Sequence, residues 1–145
     1  MSSLILPRLT RRGLLATGTA AAGVLALPAI LRAGTAPVFS HGVQSGDAHA
    51  AGGMVWTRVD RPSRVLLEVS TTESFADARR VAVLNALPAS DLTVKCAVDG
   101  VAPDQQLFYR FTAADLSDLN AVSQPITGRF RTAPTEKRNI RFGWS

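Results

Sequence analysis

The stretch "DLTVKCAVDGVAPDQQLFYRF", residues 91–111, decides how this chain folds. Its first nine residues alternate almost without a break, with Leu92, Val94, Cys96 and Val98 on one side. That period of two belongs to a half-buried strand. Asp99-Gly100 then marks a turn, Pro103 follows, and Leu107, Tyr109 and Phe111 form a second alternating row. The same grammar repeats outward in both directions. Toward the N-terminus lie runs at 39–45, 53–59, 64–71 and 79–86; toward the C-terminus lies one at 126–132. Gly46-Asp47, Gly52-Gly53 and Asp60-Arg61-Pro62 punctuate them. Val65, Leu67 and Val69 share one face, Val81 and Val83 another, and Ile126 and Phe130 a third. No long helical period occurs, and only Glu73–Arg79 has room for a helical turn. The expected fold is therefore all-β: an immunoglobulin/fibronectin-III-like sandwich of about seven strands.

The turn before Leu107 resembles the corner that precedes the penultimate strand in such sandwiches. There a tyrosine four residues after the proline bonds back to the backbone. Counting from Pro103, that position is Leu107, so the corner is expected to lack a hydroxyl bond of about 1 kcal/mol.

The chain has 145 residues, a formal charge of +5 and 46% hydrophobic residues, the last a globular proportion. The basicity is a property of the leader. Arg8, Arg11, Arg12 and Arg32 lie in the first 36 positions, where no acidic residue occurs. The remainder holds twelve basic and eleven acidic residues, which gives no footprint for nucleic acid. The lone Cys96 excludes an intramolecular disulfide and reads as a small buried apolar residue.

In "LTRRGLLATGTAAAGVLALPAILRA" the pair Arg11 and Arg12 is followed by an uncharged stretch from Gly13 to Leu31. This resembles a twin-arginine export signal, with Ala16 where a lysine is common. Gly13, Gly18, Gly23 and Pro28 weaken the alternative of a membrane-spanning helix. Cleavage is expected near Ala33 to Ala36. The implied partner is the twin-arginine translocation machinery, the implied location periplasmic or secreted, and contact with the membrane transient.

"FSHGVQSGD", "MVWTRV", "LLEVS", the decisive stretch above and "GRFRTAP" occur in this order and spacing. Together with the leader they resemble the N-terminal part of PhoD-type alkaline phosphatases. The resemblance implies a signal over 1–36, a sandwich domain over 37–135, and at 136–145 a linker with the first strand of a metallophosphoesterase domain. The catalytic domain, with the calcium and iron the resemblance implies, is expected beyond Ser145. This chain itself would then hold no catalytic and no metal site. Ile140, Phe142 and Trp144 alternate in "RNIRFGWS" and are expected to face that domain. A free-standing exported sandwich that binds a glycan or a protein is the alternative, and a nonfunctional fragment a third reading.

Other residues carry less. His41, Asp47 and His49 can be drawn as a metal set, but their spacing matches no standard motif and Asp47 after Gly46 reads as a turn former. Trp56 is expected in the core or at a domain interface, with a ligand-stacking role as the minor reading. Arg129 and Arg131 share a face with Thr127 and read as solvated edge charges. There is no Gly-x-Ser-x-Gly elbow, P-loop or dinucleotide fingerprint.

Overall fold

The computed structural model describes residues 35–137 and Asn139. The leader with Arg11 and Arg12, and the tail with Ile140, Phe142 and Trp144, lie outside the described residues.

Seven strands form: β1 (Phe39–His49), β2 (Gly52–Val59), β3 (Ser63–Ser70), β4 (Arg79–Ala86), β5 (Thr93–Asp99), β6 (Gln106–Asp115) and β7 (Ile126–Arg131). They make two sheets, β1-β2-β5 and β4-β3-β6-β7, with every neighbouring pair antiparallel. The fourth strand pairs with β3, so the split is three and four. An immunoglobulin constant domain has the reverse, because there the fourth strand joins the first sheet.

Alternation builds the core. Val55 and Val59 of β2 and Val94 and Val98 of β5 face Val65, Leu67 and Val69 of β3 and Leu107, Tyr109, Phe111 and Ala113 of β6. Each large apolar side chain buried there stabilises the fold by about 1.5–3 kcal/mol. Thr57 is polar yet fully buried in this row, and its hydroxyl donates to the Gly42 carbonyl at 2.8 Å. A bulge between Phe39 and Val43 makes that carbonyl available, with Gly42 at φ +69 in the left-handed region. Tyr109 packs edge-on to Phe111 and lies over Gly128, where any Cβ would meet its ring and hydroxyl. Burial pushes its phenol up, and a hydrogen bond with the Ser45 side chain partly offsets this.

Several expectations need correcting, each for a local reason. Gly46-Asp47 is not the hairpin turn. The chain bulges there, with Asp47 at φ +49, and continues as strand to His49. Val81 and Val83 do not share a face. Leu67 pairs with Ala82 but Glu68 with Arg80, so a bulge at Val81 turns Val83 outward, 51% exposed, while Val81 and Leu84 pack on the core. The decisive stretch starts as strand at Thr93, because Asp91 and Leu92 both take left-handed φ after a short 3-10 turn at Pro88–Ser90. Residues 73–78 form turns without a helix, and Arg79 already opens β4. Cys96 packs against the core but is only partly buried, since β5 is a sheet edge. Burial, with a smaller contribution from Asp99, still pushes its thiol up.

The chain comes into the sandwich at one end and leaves at the other. At the first, Asp60 accepts the Val38 N–H at 2.8 Å and pairs with Arg61 at 2.7 Å. Arg61 also donates to the Thr35 carbonyl and hydroxyl and lies 3.8 Å from Asp115. This is a charged latch. At the second end, Thr132 is 1% exposed and its hydroxyl donates to the Ala102 carbonyl at 2.6 Å while accepting the Gln105 N–H at 2.9 Å. The Thr132 N–H donates to the Gln105 carbonyl, and the Ala133 N–H to that of His49. Leu107 is buried in the core, and Thr132, just after β7, supplies a hydroxyl to the same loop.

Candidate functional site

The inward row of β2 fixes what faces outward. With Val55, Thr57 and Val59 inside, Met54, Trp56 and Arg58 project from the other side of the three-stranded sheet, half-exposed. Trp56 is therefore not a core residue. It stands on the central strand, opposite Gln44 of β1 and Lys95 of β5, with Met54 opposite Gly46 and Ala97. Gln44, Ser45, Gly46, Asp47, Met54, Trp56 and Lys95 line a shallow groove of about 320 Å³. The Asp47 bulge shapes one wall. The rim carries one charge of each sign, and the floor an indole and a thioether, side-chain types enriched where proteins meet.

The outer face of the four-stranded sheet differs. Leu66, Val83, Val122 and Ala114 form an apolar depression between Arg64 and Arg80. Farther along, Arg110 lies 4.5 Å over the Phe75 ring and pairs with Glu68 at 2.8 Å. The loop behind Phe75 is organised by Asp77, which accepts from the Ser70 and Thr71 hydroxyls and the Thr71 N–H. Those bonds, Ser70 foremost, hold its carboxyl well below the usual range.

His41, Asp47 and His49 are not brought together. His41 lies near Arg58, at 3.4 Å from Nη1, whereas His49 is 3.7 Å from Asp99 beside the hairpin. The histidines stand eight positions apart on β1, up to about 26 Å of extended chain. Among the described residues no group of three or more His, Cys, Asp or Glu is placed to hold a metal. Calcium or iron thus finds no fitting donor set there. Ser40 Oγ is 2.8 Å from His41 Nδ1, but the other ring nitrogen lies 3.4 Å from Arg58 Nη1, where a triad would place an orienting carboxylate. Arg131 is not a simple solvated charge, because it donates to the Asp104 carbonyl and carboxylate at 2.8 and 2.9 Å. Arg129 is exposed and borders a shallow groove with Phe75 and Phe108.

The sequence reading missed the outward groove and the Thr132 clamp. The parity of Val55, Thr57 and Val59 was signal enough for the first. The second joins residues 30 apart, and no local pattern announces it.

Comparison with known proteins sharpens this picture. A family profile described as "PhoD-like phosphatase, N-terminal domain" matches residues 25–134. A solved structure described as "Structure of PhoD" superposes with a TM-score of 0.58 at 25% identity, covering 74% of this chain and 21% of that one. The chain thus spans about a fifth of that relative's length. A computer-based redesign of a β-sandwich protein superposes with a TM-score of 0.52 at 15% identity over 70% of this chain and 98% of its own, a likeness of fold alone. No curated protein matches the chain.

Proposed function

The chain belongs to the PhoD-like phosphatase N-terminal domain family, and on that premise we propose that it is the export and accessory portion of a secreted, metal-dependent phosphoesterase. The observation that carries this is the family match across the whole sandwich, with a solved PhoD of which the chain covers only a fifth. In this reading the hydrolysis of phosphate esters, and the calcium and iron that serve it, belong to a catalytic part that follows the sandwich in the same polypeptide. The sandwich contributes a rigid, non-catalytic platform. Residues 1–36 direct export to the periplasm or beyond, with Arg11 and Arg12 read by the twin-arginine machinery.

Two measurements test it. The product of the gene read past the Ser145 codon is expected to hydrolyse p-nitrophenyl phosphate or its bis ester, and chelation is expected to abolish the activity. A complete product that hydrolyses neither ester removes the enzymatic reading. Residues 1–36 fused to a reporter that folds before export are expected to carry it to the periplasm, and Arg11→Lys with Arg12→Lys to retain it inside. Equal export by the lysine pair removes the twin-arginine assignment.

A further inference from the structure

We propose that the Trp56–Met54 groove on the outer face of β1-β2-β5 is the docking surface for the catalytic part of the same polypeptide. This rests on the reading above and adds to it which face of the sandwich is covered.

Three observations converge. First, the way out of the sandwich is fixed in direction. Thr132 is bonded into the 102–105 loop, and Ala133 donates to the His49 carbonyl at 3.1 Å, so the chain leaves against β1. Second, β1 is the strand that supplies Gln44 to Asp47 as one wall of the groove. Met54 and Trp56 stand two and four residues from the β2 end at Gly52, about 7 and 13 Å along the strand. Whatever follows Ala133 is therefore tethered beside this face, and a short tether makes docking there effectively intramolecular. Third, the surface has the makeup of an anchor. A half-exposed indole and a Met floor the groove, neighbouring charges of opposite sign stand at the rim, and Arg58 is held away by Asp91 at 2.8 Å. Buried tryptophans ringed by weaker polar contacts are where interface energy concentrates. The competing apolar depression at Leu66, Val83 and Val122 belongs to the other sheet. Its residues pair near Ser63 and Asp115, toward the end where the chain comes in.

Hydroxyl-radical footprinting, read residue by residue on the 145-residue chain and on the product of the extended gene, separates the possibilities. Oxidation of Trp56 and Met54 is expected to slow by about fivefold or more in the longer protein, as for anchors at an interface centre. The Val83 and Val122 peptides are expected to stay unchanged. Trp56→Lys should still melt in a single transition in the 145-residue chain, yet give the longer protein a separate early transition that Trp56→Phe does not. Equal oxidation of Trp56 in both proteins overturns the proposal. So does protection of Val83 and Val122 in its place, or protection in the short chain that grows with concentration, which assigns the groove to a second copy. Hydrolysis measured on the same samples keeps the two readings apart. Activity with an exposed groove defeats the docking alone, and a protected groove without activity defeats the enzymatic reading alone.

Discussion

The two ends of this sandwich are secured by different chemistry. Where the chain comes in, Asp60, Arg61 and Asp115 hold Thr35 and Val38 through partly exposed charges. Where it leaves, the buried Thr132 and the partly buried Ala133 are held by neutral hydrogen bonds to Ala102, Gln105 and His49. Exposed ion pairs contribute little and weaken with salt and acid, whereas neutral bonds to a buried hydroxyl do not titrate and leave groups unsatisfied when unmade. The difference teaches that the C-terminal junction is the rigid one. A rigid junction is what an accessory domain needs if the part that follows it is to be held in one orientation.

Substitutions at the two ends break or sharpen that contrast. The largest effect is expected from Thr132→Val, which strands the Ala102 carbonyl and the Gln105 N–H; urea unfolding should show a loss of about 2–4 kcal/mol. Gly128→Ala comes next, because its Cβ would drive into the Tyr109 ring beneath β7. Overpacking of that kind costs about 1–3 kcal/mol, read as a lowered midpoint at unchanged slope. Arg61→Ala at the opposite end should lose less than either, and added salt should shrink the loss. If Arg61→Ala proves as damaging as Thr132→Val, the contrast between the ends is wrong.

Acid tests the contrast without mutation. Arg61 holds the Asp60 carboxyl below its usual value, and the Ser117 hydroxyl does the same for Asp115. Carboxyls depressed in the folded state add stability above their unfolded pKa, about 4, and lose it as the pH falls through the folded value. Below about pH 4, hydrogen exchange at Val38, whose N–H the Asp60 carboxylate accepts, is therefore expected to quicken before that at Gln105 and Thr132, whose N–H groups go to neutral acceptors. Simultaneous loosening would show that the latch and the clamp are one cooperative unit. The smallest effect is expected from Trp56→Ala, about 1 kcal/mol or less in the 145-residue chain, because the indole lies on the outer face of β2 and is only partly buried.

The parts of this fold that obey one local rule were legible. Val65, Leu67 and Val69, or Leu107, Tyr109 and Phe111, alternate over a full strand, so both the strand and its inward face follow from the residues alone. Legibility failed where one extra residue shifts the register. The bulge at Val81 turns Val83 to solvent, and the one at Asp47 lets β1 run on to His49. A bulge depends on the partner strand, which the sequence does not display. Trp56 was expected in the core or at a domain interface; the parity of Val55 and Val59 rules out the core, because a strand cannot bury both faces without a second layer. The family and its sandwich were recognisable from motif order; the outward side of Trp56 was legible from parity, but the walls of the groove and the clamp were not, since each joins residues far apart in the chain.

The proposal on which the rest depends is that hydrolysis belongs to a part that follows the sandwich, with the groove as its attachment. The most direct measurement is hydrolysis of p-nitrophenyl phosphate by the purified 145-residue chain, supplied with calcium and iron, at concentrations where turnover of one per hour is detectable. The account predicts no turnover above buffer with metals. Turnover that His41→Ala or Asp47→Ala abolishes would contradict it, and would place a catalytic centre within the sandwich.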